Sequence, residues 1–171
     1  MTNKELGIAI RKDLKAAGFA AKDISVRVSY VTYDTSVRVT VKNPLVRLSE
    51  VEKIVKKYDE IDWDERTGEI LAGGNTYVHC QYEYGIFDKI AEAYTPEAET
   101  ILNSDFGDGK VLTVEKNKDK EINIHKVDNC TWNLSERLKN ESISYNRYYI
   151  RSIGDLSVAL WRFQNLGTIY A

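Results

Sequence analysis

The sequence contains few of the residues that mark a disulfide framework, a metal centre or a basic nucleic-acid-binding tail. Among 171 residues there are only two histidines and two cysteines, Cys80 and Cys130. Two cysteines are too few for the disulfide framework of a small secreted protein. The 24 lysines and arginines are outnumbered by 26 acidic residues, for a net charge of -2. Nucleic-acid binding would therefore need a local basic patch rather than bulk charge.

The sequence also lacks an apolar run of membrane-spanning length, and its first residues, MTNKELGIAI, lack the apolar core of a secretion signal. We therefore expect a cytoplasmic protein that has no membrane contact and keeps its thiols reduced. What is present is the composition of a globular protein, 43% hydrophobic and 29% charged, with eleven tyrosines.

The first half of the chain predicts an α-β-β-α-β unit. Thr2 and Glu5 form a capping box before a helix over about residues 3–17. Alternating residues predict an antiparallel hairpin over 25–42. Val51, Ile54 and Val55 recur at helical spacing, and the β-rich segment 76–84 predicts a third strand.

The hairpin is predicted to turn at Asp34 and Thr35, which places Arg27 directly opposite Lys42. Side chains alternate along a strand, so one face carries Arg27, Arg38 and Lys42 with hydroxyl side chains between them. Such a face is either the solvated back of a sheet or a binding surface for an anion or an acidic partner.

The second half predicts a mixture of helices and hairpins. The segment IFDKIAEAY is predicted to be helical, and Pro96 is predicted to open a second short helix at its first position. A second hairpin is predicted to pair Leu112 with Ile124, followed by a short helix over 134–138, a strand at RYYIRS and a final helix. The predicted class is α+β, with an N-terminal module at 1–85 and a C-terminal extension at 86–171; a single domain is equally compatible with the pattern.

No residue pattern predicts a catalytic, cofactor or metal site. His79 and Cys80 are adjacent in a strand and point to opposite faces, so they cannot ligate one ion together. Cys80 with His125 as base is a conceivable nucleophile pair, but nothing around Cys80 predicts an activated thiolate.

Two groups of residues are candidate binding sites for a partner. An acidic run follows the second helix, where negative charge opposes the helix dipole; it is either a solvated loop or a patch for a basic partner. Its members are Asp59, Glu60, Asp62, Asp64 and Glu65. The second group combines tyrosine and arginine, the side chains that most often anchor interfaces, and consists of Arg147, Tyr148, Tyr149 and Arg151. Tyr33 and either Tyr82 or Tyr84 are candidate stacking surfaces beside the basic hairpin.

The segment from about Ile10 to Glu83 resembles the large polyvalent protein-associated domains of phages and conjugative elements. The likeness rests on AIRKDLKAAGF, SVRVSYVTYDTSVRVTVKNP, VEKIVKKYDEID and DERTGEILAGGNTYVHCQYE. It covers a little under half of the chain and assigns no catalytic residue. The resemblance implies a protein carried by a mobile element, and a small stand-alone form looks like an anti-CRISPR-type counter-defence protein.

Three hypotheses follow. The first is a non-enzymatic inhibitor that binds a bacterial defence nuclease, most plausibly an RNA-guided one, through its acidic and Tyr/Arg surfaces. The second is a nucleic-acid-binding accessory module that places Arg27, Arg38 and Lys42 on phosphates. The third is an enzyme that modifies nucleic acid, which has the least support because no carboxylate or histidine site emerges.

Overall fold

The protein has an α+β fold, and its described residues form four α-helices and two small sheets. The computed structural model describes residues 1–104, 110–113, 120–127, 131–138 and 145–169. The chain divides into two compact units, Met1–Ile86 and Phe87–Ala171. In the described ranges no helix is both long enough and apolar enough to cross a membrane. The elements are, in order, α1 (Asn3–Ala16), β1 (Ile24–Val31), β2 (Asp34–Val41), α2 (Leu48–Val55), a 3-10 turn (Lys56–Tyr58), β3 (Thr76–Tyr82), α3 (Asp88–Asn103), β4 (Lys110–Thr113), β5 (Lys120–Lys126), β6 (Trp132–Leu138), β7 (Tyr145–Ile150) and α4 (Ile153–Leu166).

The N-terminal unit is a three-stranded sheet with two helices on one face. Its strand order is β1-β2-β3; β1 and β2 are antiparallel, and β3 returns parallel to β2 after the α2 crossover. The capping box of Thr2 and Glu5 at the start of α1 is confirmed. The core between helices and sheet is apolar; its most buried members are Ile10, Val37, Val39, Val41, Val51 and Val55.

The predicted hairpin exists, but its predicted register is wrong. The turn residues are Thr32 and Tyr33, so Arg27 lies opposite Arg38 and not opposite Lys42. Thr32 has a φ of 57°, a conformation that a β-branched residue rarely adopts, and the sequence therefore pointed to Asp34 instead. The pairing differs from the prediction by an even number of residues, so every side chain keeps its predicted face.

A hydrogen-bonded carboxylate ties α1 to the end of the second helix. Asp13 lies 2.6 Å from the ammonium of Lys57 and accepts a 2.6 Å hydrogen bond from the hydroxyl of Tyr58. These two donors hold the pKa of Asp13 below its ordinary value. Burial, together with the bond to Asp13, raises the pKa of Tyr58 to about 12.

The described part of the C-terminal unit consists of a four-stranded antiparallel sheet with α3 and α4. The described strands run in the order β4-β5-β6-β7, and the core includes Ile122, Leu134, Leu156 and Phe163. The predicted helix start at Pro96 is wrong, because Pro96 lies inside the continuous helix α3. Packing against the core on both sides of the proline keeps the helix continuous, through Tyr94 before it and Ala98 after it.

Residues 134–138, predicted as a short helix, form most of strand β6. Their alternation was hidden because Glu136 is buried where an apolar residue is expected. Its carboxylate accepts a hydrogen bond from the backbone N–H of Ile169 and lies 3.8 Å from the Lys120 ammonium. The second hairpin is two residues out of the predicted register, with Leu112 opposite Ile122.

Candidate binding surfaces

One side of the three-stranded sheet carries polar residues and is not covered by α1 or α2; we call it the open face. Cross-strand pairing aligns its side chains in three rows that span all three strands, and beyond them Val31 and Asp34 form a further pair on the same face. Every one of these side chains is exposed or half-buried. The rows are Ser25, Thr40 and Gln81, then Arg27, Arg38 and His79, then Ser29, Ser36 and Tyr77.

The central row concentrates positive charge without an acidic partner. Arg27 and Arg38 are direct cross-strand neighbours, and His79 is the neighbour of Arg38 on β3. Within the described part of the chain, none of these three side chains makes an ion pair or a hydrogen bond. Like charges directly opposite each other destabilise a sheet. An anion bound between Arg27 and Arg38 would offset this repulsion.

On the open face, residues of β3 lie beside the predicted arginines. Lys42 lies beyond the end of β2, and its backbone N–H donates to the carbonyl of Asp23. Tyr82 is not a stacking surface there, because its ring packs on the helix-covered side and its hydroxyl donates to the carbonyl of Val46. Tyr77 occupies the open face instead. The sequence could not indicate Tyr77 or His79, since their placement depends on the long-range pairing of β3.

Except for Asp59, the acidic run belongs to an antiparallel ribbon that spans residues 60–76; we call it the acidic ribbon. Its two arms pair through Glu60 with Thr76 and through Trp63 with Ile70. At its tip the carboxylate of Asp64 accepts hydrogen bonds from two backbone N–H groups, those of Thr67 and Arg66, which lower the pKa of Asp64. Internal hydrogen bonds therefore hold the ribbon in a defined conformation, with most of its side chains exposed to solvent.

Asn75 anchors the ribbon to the hairpin. Its side chain is only 2% exposed and makes three hydrogen bonds. The amide nitrogen donates to Asp34 Oδ1 at 3.2 Å and to the carbonyl of Leu71 at 2.8 Å, and the amide oxygen accepts from the backbone N–H of Asp62 at 2.8 Å. A satisfied buried amide of this kind fixes both arms of the ribbon in one position.

The five predicted acidic site residues therefore have different roles. Asp59 accepts a hydrogen bond from the backbone N–H of Val78, and Asp64 holds the ribbon tip, so both carboxylates have a structural partner. Glu60, Asp62 and Glu65 are exposed, and their carboxylates make no ion pair with a described residue. These three remain available to a basic partner.

The ribbon also exposes large apolar side chains that the sequence analysis missed. Trp63 is 51% exposed, Ile70 is 46% exposed, and Leu71 is exposed as well. Because Trp63 and Ile70 are direct cross-strand neighbours, their side chains share one side of the ribbon. Acidic residues adjoin both along the chain, at Asp62 beside Trp63 and at Glu69 beside Ile70. The sequence shows the two apolar residues within DWD and GEIL, but it does not show that these two segments pair.

The predicted Tyr/Arg group lies in and just after β7. Tyr149 and Arg151 are exposed, and the backbone N–H of Arg151 donates to the carboxylate of Asp155 at the start of α4. The backbone of Arg147 and Tyr148 belongs to β7, while their side chains lie outside what the structure describes.

The described residues contain no group of three or more His, Cys, Asp and Glu side chains that could hold a metal ion. His79 is on the open face and Cys80 on the covered face, as the strand alternation predicts. Burial, with a smaller contribution from Glu52, raises the pKa of the Cys80 thiol to about 11. A thiol with so high a pKa is a poor nucleophile at neutral pH.

No protein-family model, curated protein or solved structure matches this chain. The resemblance to the large polyvalent protein-associated domains therefore stays a prediction.

Proposed function

We propose that the protein is a non-enzymatic binding protein that docks on a basic surface of its partner through the acidic ribbon. The observation that carries the proposal is the exposed pair of Trp63 and Ile70, held on a ribbon that Asn75 fixes in place. A preorganised aromatic side chain loses little conformational entropy on binding, and tryptophan is the residue most enriched among the energetic hot spots of interfaces.

The charge around this pair supports a partner with a basic surface. Glu60, Asp62 and Glu65 are exposed along the same ribbon and would face lysine and arginine side chains across the interface. Such exposed charges contribute mainly to the association rate and to partner selection, whereas Trp63 and Ile70 contribute most of the binding free energy.

The resemblance to modules of mobile elements supports a more specific partner, an RNA-guided bacterial defence nuclease. Such a nuclease holds its nucleic acids in a positively charged channel. An acidic ribbon that exposes a tryptophan is suited to occupy such a channel and to block access for DNA. In this proposal the protein acts as a counter-defence inhibitor by occupying a surface, without making or breaking a covalent bond.

The experiment is a binding titration against a panel of purified, guide-loaded RNA-guided nucleases. The tested variant is Asp62→Lys/Glu65→Lys; Asp64 is left intact because its carboxylate holds the ribbon tip. The matched control is Glu92→Lys/Glu99→Lys, which changes the net charge equally at exposed positions of α3.

We expect the ribbon variant to weaken binding at least tenfold and to reduce the salt dependence of the association rate, while the control binds like the wild type. Equal losses of affinity in both variants would show that only the net charge matters and would contradict the ribbon as the docking surface. Absence of binding to every nuclease in the panel would reject the nuclease as partner.

A further inference from the structure

The open face presents cationic and hydrogen-bonding side chains in a regular array. Strands in a sheet are about 4.8 Å apart, so the row of Arg27, Arg38 and His79 extends for about 10 Å across the three strands. Arginine offers a planar fork of N–H donors that matches the oxygens of a phosphate, and it stays charged at any working pH.

Nothing in the described part of the molecule neutralises this row. Its two guanidinium groups face each other without an acidic neighbour, although acidic residues outnumber basic ones in the chain as a whole. A bound anion would remove the repulsion between Arg27 and Arg38. The charge of the open face is therefore complementary to a polyanion.

The next row adds the features that favour an unpaired nucleotide. Tyr77 is half-buried on the open face beside Ser36, and its ring can stack on a base. A depression of about 300 Å³ lies at this end of the sheet; it is lined by Ser36, Tyr77 and His79 and also by Asp34, whose carboxylate accepts two hydrogen bonds from Asn75. A base in a duplex has both faces covered by its neighbours, whereas an unpaired base can stack on an aromatic ring.

We propose that the open face binds the phosphodiester backbone of a single-stranded nucleic acid. Arg27 and Arg38 contact successive phosphates, and Tyr77 stacks on a base beside them. The open face and the acidic ribbon consist of different residues. This proposal can therefore be tested independently of the proposed docking on a protein partner.

The test measures fluorescence anisotropy of labelled oligonucleotides of about 15 nucleotides, the upper range of a single-module site. The probes are oligo(dT), oligo(U) and a DNA duplex of equal length, each titrated with the whole protein at several salt concentrations. For two arginine–phosphate contacts, the logarithm of the binding constant should fall with the logarithm of the salt concentration with a slope of about -1.4. A preference between the two single strands identifies DNA or RNA as the ligand.

The variant Arg27→Gln/Arg38→Gln should weaken binding to the single strands at least tenfold and bring the salt slope close to zero. The matched control is Lys4→Gln/Lys12→Gln, which removes two exposed positive charges from α1 and should bind like the wild type. Arg27→Lys/Arg38→Lys keeps the charges and should retain most of the salt slope, which separates loss of contact from loss of folding.

Three results would overturn the proposal. One is no binding of either single strand at about 50 mM salt and protein up to about 100 µM, the weak limit of non-specific binding. The second is duplex binding as tight as single-strand binding. The third is an equal loss of affinity in Arg27→Gln/Arg38→Gln and in the control Lys4→Gln/Lys12→Gln.

Discussion

Replacing Asn75 with alanine should destabilise the N-terminal unit more than any other single polar truncation in the ribbon. The substitution removes three buried side-chain hydrogen bonds, to Asp34, Leu71 and Asp62. At about 1 kcal/mol for each hydrogen bond, the expected loss of unfolding free energy is about 3 kcal/mol. The N–H of Asp62 and the carbonyl of Leu71 then lack a protein partner, but both residues are exposed, so water can hydrogen-bond these groups instead.

Asn43→Ala is the matched control. The side chain of Asn43 accepts a single hydrogen bond, 3.0 Å from the backbone nitrogen of Leu45, so its loss should cost about 1 kcal/mol. For a unit of this size, these losses correspond to a fall in melting temperature of about 12–24 °C for Asn75→Ala and about 4–8 °C for Asn43→Ala.

Calorimetric melting gives the two temperatures, and hydrogen exchange read by mass spectrometry locates the change. We expect the amides of the ribbon to exchange faster in Asn75→Ala than in the wild type. The exchange rates of the α1 amides should change only as far as the global stability of the unit changes. Equal melting temperatures for the two variants would refute the view that Asn75 holds the ribbon.

Three further predictions concern single side chains. Folding lowers the pKa of Asp13 below its ordinary 3.8, so the stabilising contribution of this carboxylate is present above that pH and is lost as the pH falls. Urea titrations should give a constant difference in unfolding free energy between wild type and Asp13→Asn above about pH 5. Below that pH the difference should shrink. Folding raises the pKa of Tyr58 to about 12 from 10, so stability should fall as the pH rises between these values, and an unchanged stability there would contradict the buried bond to Asp13. In a Cys130→Ser background, Cys80, with its pKa of about 11, should react with a disulfide reagent at pH 8 about 100-fold more slowly than free cysteine; a comparable rate would show an activated thiol.

The faces of the hairpin could be predicted from the sequence, but its register could not. Alternation assigned Arg27 and Arg38 to one face, and a slip of an even number of residues leaves that assignment intact. The turn itself was missed because Thr32 adopts a positive φ, which local turn chemistry does not favour for a β-branched residue.

The composition of both candidate surfaces depends on contacts between distant parts of the chain. His79 and Tyr77 reach the open face only because β3 pairs parallel with β2, and no local pattern specifies that partner. The ribbon depends on Asn75, a buried polar residue that sequence patterns assign to a loop. Strand β6 was likewise not predicted, because the buried carboxylate of Glu136 breaks the apolar alternation that marks a strand.

The central claim, that the acidic ribbon is the docking surface, is tested most directly by a matched pair of isoleucine substitutions. Ile70 on the ribbon is 46% exposed and Ile8 on α1 is 55% exposed, so Ile70→Ser and Ile8→Ser remove the same side chain from similarly exposed positions. The measurement is the concentration of each variant needed to halve DNA cleavage by the guide-loaded nuclease that the wild type inhibits. We expect Ile70→Ser to require at least tenfold more protein and Ile8→Ser to match the wild type. Equal potency of the two variants would contradict the account.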